Sequence, residues 1–431
     1  MERFIGIIGI VAIFLICYGL SNNRKAINFK TVGIGFLLQI ALAFFIFKCP
    51  LGRELFTQIG KFICKILEFA YEGGAFVFGP LINNPKFASL IGENYRIFAL
   101  QLICSTIIMM VLVNILYYYG IMQRIVAILG KVMNKIMRVS GAEALSNVAS
   151  AFVGQIVAQI MIKPYLEKLT RSELLASMAG SMACISGAIM PIYIGMLSEA
   201  VPQNVANPAI YILASSVMAI PGAMILAKII YPETGEPETR DSIRISKRRT
   251  FANVFDSISN GASEGMKVAI NVTAMILALV SLVAFIDWIL GVTGGFIYNH
   301  IPGCSHFTFL TDLSLKLILG KIFALFALII GVPIQDISTV GALMGTKIVL
   351  NEMVAYVQLS QIATNIDPKS FMIATFALCS FGNLGSIAIQ IGGIGELAPN
   401  QRKNLARLGV RALICGTLSC YLSAAIVGVL L

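Results

Sequence analysis

Residues 182–195 read MACISGAIMPIYIG and residues 377–392 read ALCSFGNLGSIAIQIG. Both are apolar runs, yet each is interrupted near its middle by Ser and Gly, with Pro191 in the first and Asn383 in the second. A plain membrane-spanning helix has no use for such residues, because lipid offers an exposed N–H or C=O no partner. Paired interruptions in two halves of one chain are the mark of a transporter built from an inverted repeat. The unwound backbone then lies near the bilayer midplane and forms the site.

Each broken run follows another interrupted segment. Residues 146–165 carry Gly154 and Gln155 at their centre and Lys163-Pro164 near their end, which predicts a hairpin that enters and leaves by one face; residues 317–359 repeat the theme. Between the halves lies a polar stretch, residues 231–250, with PETGEPETRDS and then Lys247-Arg248-Arg249, which reads as a cytoplasmic linker. Continuous apolar spans surround these parts at 4–20, 31–47, 97–119, 268–290 and 408–431.

Composition fits this reading. Of the 431 residues 58% are hydrophobic and 12% charged, and the mean hydropathy is +0.86, so lipid is the solvent for most of the chain. Roughly 20 apolar residues are needed per helical crossing, and an open sheet cannot satisfy its edges there, so the expected architecture is all-α and polytopic. The net charge of +11 does not indicate a nucleic-acid partner, because Lys and Arg sit mostly in short loops. Arg24, Lys25 and Lys30 place the first loop in the cytoplasm and the N-terminus outside. The first apolar run is followed directly by a second without a small-residue cleavage site, so it reads as a retained helix. In residues 121–139, Arg124, Lys131, Lys135 and Arg138 alternate with apolar residues at helical spacing, which predicts an amphipathic helix on the cytoplasmic face. The nine cysteines have no ligand spacing and read as small helix residues.

Among residues that could carry chemistry, Glu352 stands out because an unpaired carboxylate is expensive inside an apolar region. It either binds a ligand or ion or pairs with Lys347, which lies five positions away and off its helical face. Asn383 and Ser386 are three apart beside Gly382 and Gly385, and read either as ligand-binding groups on an unwound turn or as a packing seam of small residues. Gln155, with two donors and an acceptor, suits an amide-like base edge or caps the hairpin tip. His300 and His306, in a loop-like segment, read as surface residues. No P-loop, nucleophile elbow or HExxH occurs, so neither an ATP-driven pump nor a hydrolase has a basis, and an ion gradient is the expected energy source.

Several particular motifs carry a resemblance: YEGGAFVFG (71–79), VGQ with IKPYL (153–166) and TRSEL after it, GVPIQDI (331–337), GTKIVLNEMVAY (345–356) and SFGNLGSIAIQIGGIGELAPNQRKNLARLG (380–409). In these, nearly end to end, the chain resembles the concentrative nucleoside transporters. The resemblance implies about eight transmembrane helices, two re-entrant hairpins and an elevator-type transport domain on a homotrimeric scaffold in the plasma membrane. It divides the chain into 1–120 (three helices, scaffold side), 121–231 (interfacial helix, first hairpin, broken helix), 232–265 (linker), 266–315 (scaffold helix and external segment) and 316–431 (second hairpin, broken helix, last span).

It also implies ribose binding by Glu352, Asn383 and Ser386, with Phe381 beside them. The base-reading hairpin departs from the family's GQTEAP: Gln155 is kept, but Ile156 and Val157 replace a hydroxyl and a carboxylate, which puts base selectivity in question and admits a modified nucleoside or another polar solute. No cofactor is implied beyond a coupling ion, H+ or Na+. Ser150 and Cys184 stand where sodium-coupled relatives have Asn and Ser, and Val153 and Ile185 offer only carbonyls. A soft thiol suits Na+ poorly, so H+ is favoured, with Glu352 its candidate carrier.

Overall fold

The computed structural model describes residues 2–82, 97–201, 207–240, 251–300 and 308–431, and all of their regular structure is helical. The first half runs α1 (Glu2–Gly19), α2 (Phe29–Phe47), α3 (Pro50–Phe78), α4 (Phe98–Tyr118), α5 (Ile121–Met137), α6 (Gly141–Val153), α7 (Gln155–Met161), α8 (Lys163–Leu166), α9 (Arg171–Ala183), α10 (Met190–Ala200) and α11 (Pro208–Ile230). The second runs α12 (Val254–His300), α13 (Leu315–Ile329), α14 (Ile337–Val349), α15 (Glu352–Ile362), α16 (Pro368–Leu378), α17 (Leu384–Leu397) and α18 (Arg402–Leu430).

Among the described residues, α2, α4, α11, α12 and α18 are long and apolar enough to cross a membrane. The two quoted stretches are indeed broken. α9 stops at Ala183 and α10 resumes at Met190; α16 stops at Leu378 and α17 resumes at Leu384. Each follows a helix–turn–helix pair, α6–α7 and α14–α15, and each precedes a long apolar helix, α11 and α18. The order of element types is thus the same in both halves. At the first turn Gly154 has φ +84°, a left-handed conformation that a side chain would strain.

α18 is the centre of the packing. It lies against α9, α11, α1, α16 and α17, and most of its length past Leu405 is buried. The contact with α9 depends on Gly416, where a Cβ would come within 2.9 Å of the Met182 Cβ. α1 and α2 pack on this bundle through α18 and α11.

A second unit pairs α12 with α4. α12 buries Ser257, Gly261, Gly265 and Ala269, one residue every four, against the α4 backbone; a Cβ at Gly261 or Gly265 would lie 2.7 Å from Val111 Cα or Ile107 Cα. Small residues at this spacing let helix backbones meet where lipid removes the hydrophobic drive for association. Apolar side chains elsewhere on α12, among them Leu277, Phe285 and Trp288, stay exposed.

Three local expectations change. α3 is a 29-residue helix that apolar-run reading misses, because Arg53, Glu54, Lys61, Lys65, Glu68 and Glu72 interrupt the run; it is amphipathic and buries Phe56, Gly60, Leu67, Ala70 and Gly74 along one stripe. The linker ends early, since α12 begins at Val254; residues 241–250 are outside the described ones. His300 is not in a loop but ends α12, exposed and stacked on Phe296 at 4.5 Å. His306 lies outside the described residues. α5 is amphipathic as expected, burying Met122, Val126, Gly130 and Met137.

Candidate functional site

Two half-helices of the second half begin on asparagine. Asn351 caps α15 by accepting the Val354 N–H at 2.9 Å, and Asn383 caps α17 by accepting the Ser386 N–H at 2.9 Å. Satisfying orphan N–H groups at helix starts is what Asn does well, and lipid leaves no water to replace it. The Ser386 hydroxyl also donates to the Phe381 carbonyl at 2.5 Å, so Phe381, Asn383 and Ser386 form one knot at the break. Ser386 lies in the first turn of α17 rather than on an extended loop.

Glu352 opens α15 and is 6% exposed. Its Oε1 accepts from the Tyr193 hydroxyl of α10 at 3.0 Å, and the Tyr193 ring stacks on Tyr356 at 4.7 Å. Its Oε2 is buried with no hydrogen-bond partner, and so is the Asn351 Nδ2. The Asn383 side chain lies within hydrogen-bonding reach of this carboxylate, and Lys347 is a further charged neighbour. The alternative pairing with Lys347 is not formed: no N···O contact within 4.0 Å joins them, and the Lys347 ammonium, fully buried, donates to Thr417 Oγ1 at 3.4 Å. A buried carboxylate oxygen without a partner costs about 1–3 kcal/mol or more. Its position between a capped half-helix and an aromatic pair gives a ligand hydroxyl a strong acceptor.

The first half is arranged differently. The Ser150 hydroxyl donates to the Ser146 carbonyl at 2.7 Å and lies 3.0 Å from the Ser181 hydroxyl; Gln159 Nε2 donates to Ser181 Oγ at 2.9 Å while Gln159 Oε1 accepts from Ser177 at 2.8 Å. This buried chain fastens α6 and α7 to α9. At the break, the Gly187 N–H donates to the Phe152 carbonyl at 3.2 Å, so the pair's turn and the unwound stretch are joined through backbone. The Cys184 thiol points away, 3.7 Å from the Ser216 carbonyl of α11. Ile185 is buried beside it, and Val153, half-buried, ends α6.

Gln155 begins α7 without capping it. Its Oε1 lies 3.4 Å from the Nε2 of Gln390 on α17, so the first pair's tip and the second broken helix meet. Ile156 is half-buried against α17, and Val157 is exposed. Gln155 and Ile156 of the first pair thus meet α17, and Asn383 and Ser386 at its start adjoin Glu352 of α15, while Ser150 and Cys184 bond elsewhere. Sequence reasoning missed Tyr193, Asn351, Gln159, Ser177, Ser181 and Gln390. Asn351 adjoins Glu352 and Gln390 follows Ser386 by one turn, so both were within reach of spacing arguments; Tyr193 was not, being 159 residues from its partner.

A cavity of about 560 Å³, between α3, α4, α10 and α15, contains none of the predicted ligands. Its lining at the end of α15 and just past it, Ser360, Gln361 and Thr364, starts two helical turns beyond Glu352. At the far end of the first half, Lys228 is buried and pairs with Glu143 at 2.7 Å and Glu233 at 3.5 Å, and donates to Ser172 at 2.9 Å. Glu143 and Glu173 complete capping boxes with Ser140 and Thr170, so this cluster anchors the starts of α6 and α9 to α11.

Residues 211–428 match the family described as Na+ dependent nucleoside transporter C-terminus, residues 8–81 the matching N-terminus, and residues 99–200 the family described as nucleoside recognition. The chain is 36% identical to the nucleoside permease NupC of Helicobacter pylori over 427 residues, which cover 98% of this chain and 96% of that one. It is 30% identical to sodium/nucleoside cotransporter 1 of Rattus norvegicus over 445 residues, covering 100% of this chain and 64% of that one. Its fold is similar to that of CNTnw in an inward-facing substrate-bound state, with a TM-score of 0.88 and 35% identity, covering 100% of this chain and 98% of that one.

Proposed function

The chain belongs to the nucleoside transporter family, a family of multi-pass membrane transporters and not of enzymes, and on that premise we propose that it carries nucleosides into the cell by ion-driven symport. What carries the reading is Glu352: a carboxylate oxygen is buried without a partner where the second helix pair meets α10, beside the Asn383–Ser386 knot. A ribose offers vicinal hydroxyls, and such donors relieve that oxygen. Glu352, Asn383 and Ser386 would hold the sugar, with Phe381 at the edge and Gln155, Ile156 and Val157 facing the base.

The proposed driver is H+. Ser150 already spends its proton on Ser146, Cys184 turns its thiol to Ser216, and Val153 and Ile185 add only carbonyls, a thin oxygen set for Na+. Glu352 is the group whose charge a proton would neutralise. The moving unit would comprise residues 121–231 and 316–431, with α4 and α12 in the scaffold and the exposed apolar side chains of α12 meeting partner copies in a homotrimer. α1 and α2, which touch α11 and α18, would lie along the boundary.

The test is uptake into proteoliposomes of radiolabelled purine and pyrimidine nucleosides, free bases and ribose under an imposed proton or sodium gradient. Uptake of a nucleoside but not its base, driven by the proton gradient, is expected. Ile156 and Val157 favour a second reading, a symporter of the same fold for a modified nucleoside or another polar solute, and a panel without any nucleoside uptake would select it. Replacing Ile156→Thr and Val157→Glu together should shift base preference; an unshifted preference places base reading elsewhere.

A further inference from the structure

Gln390 is fully buried, and its neighbours fix the orientation of its amide. One end lies 3.2 Å from the Met178 carbonyl oxygen, which can only accept, so that end is Nε2. The same Nε2 faces the Gln155 side chain at 3.4 Å, and the facing atom there is therefore Oε1. Gln155 thus spends its acceptor on the protein. Its own Nε2, carrying two hydrogens, has no acceptor among the described residues. The next two positions of α7 add no polar atom: Ile156 lies over Gly393, where a Cβ would meet its Cδ1 at 2.5 Å, and Val157 is apolar. Gln390 also follows Ser386 by four residues and Asn383 by seven, so all three line one stripe of α17.

We propose that Gln390 is a positioning residue that holds Gln155 with its donors outward, so that the first helix pair reads an acceptor edge and favours bases bearing a carbonyl there over bases bearing an amino group. The inference rests on the nucleoside reading above and specifies its base class. Uridine and cytidine are suited to test it, because they share ring and sugar and exchange a carbonyl for an amino group at one ring position.

The experiment measures the ratio of KM values for cytidine and uridine in proteoliposomes holding the full chain, a ratio that loss of folded protein does not move. The wild type should favour uridine by about tenfold, the worth of one well-placed hydrogen bond. Gln390→Leu removes the hold on Gln155, and the ratio should fall to within about twofold of unity. In Gln390→Glu, a neutral carboxyl can place its hydroxyl oxygen where Nε2 lay, donating its O–H to the Met178 carbonyl and accepting from the Gln155 amide at that same oxygen. That turns the Gln155 amide over, and the preference should invert towards cytidine. If Gln390→Leu does not assemble, the inversion in Gln390→Glu decides alone. A ratio unchanged from wild type in the variants, or a wild type that prefers cytidine, overturns the role of Gln390 while leaving nucleoside transport standing; a wild type that takes up neither overturns the reading it rests on.

Discussion

Both halves of the chain carry a helix pair, a broken helix and a long apolar helix in that order, and one polar cluster from each shows two ways of treating buried polarity. In the first, Lys228 pairs with Glu143 and Glu233, and Ser150, Ser181, Gln159 and Ser177 form one hydrogen-bonded chain. In the second, Glu352 keeps one carboxylate oxygen unpartnered and Asn351 one amide nitrogen. Close-packed interiors tolerate an orphan polar atom only at a cost of about 1–3 kcal/mol, so the contrast separates a cluster whose members satisfy one another from one that leaves two atoms open. The first fastens a helix pair to a broken helix. The second leaves an acceptor and a donor without protein partners.

Breaking the held cluster of the first half should have the largest effect on stability. Lys228→Met leaves Glu143 buried and Glu233 half-buried without their cation, and loss of one member of such a cluster costs about 3–5 kcal/mol. The expected result is a strong fall in the melting temperature of the purified protein with the cytidine-to-uridine KM ratio unmoved. A melting temperature like that of the wild type would mean the cluster is wet and weak.

The open cluster around Glu352 should respond in the opposite sense. Glu352→Gln removes a charge-assisted acceptor worth about 1.5–3 kcal/mol to a ligand hydroxyl, so kcat/KM for nucleoside uptake should fall roughly 10- to 100-fold. Melting should not suffer, because the variant replaces a buried charge by a neutral amide of the same shape. Full uptake in this variant would remove Glu352 from the site, and a destabilised variant would recast it as structural.

A smaller effect sharpens the comparison from within the first half's hydrogen-bonded chain. Gln159→Leu deprives Ser177 and Ser181 of a shared partner, and about 1–3 kcal/mol of stability should go with it, read as a lower melting temperature. A shift in base preference without any change in melting would show that this chain serves recognition and not fastening.

Much of the fold was legible where lipid forbids ambiguity. The breaks at 184–189 and 379–383 announced themselves because Gly, Ser, Asn and Pro have no other business in the middle of an apolar run. Gly154 marked the first turn for the same reason, and Glu352 stood out as a lone carboxylate among apolar neighbours. α3 was not legible by that rule, since its charges hide a helix that buries only one stripe. The helical place of His300 was hidden by the Pro and Gly that follow it in sequence. At the site, Gln155, Glu352, Asn383 and Ser386 could be named from type and spacing, while the hydroxyl chain around Gln159 could not, because Ser and Gln inside helices are also ordinary packing residues.

By itself the sequence determined that the chain lives in lipid, that it is helical, that each half contains an interrupted helix, and that one carboxylate lies inside. These follow from composition and local order, which lipid enforces residue by residue. Only the tertiary structure decided which polar groups satisfy one another: that Tyr193 reaches Glu352, that Gln390 meets Gln155, and that Lys347 turns to Thr417 and not to Glu352. Those pairings join residues as far as 235 positions apart, and a hydrogen bond depends on a few tenths of an ångström and a direction that no local pattern encodes.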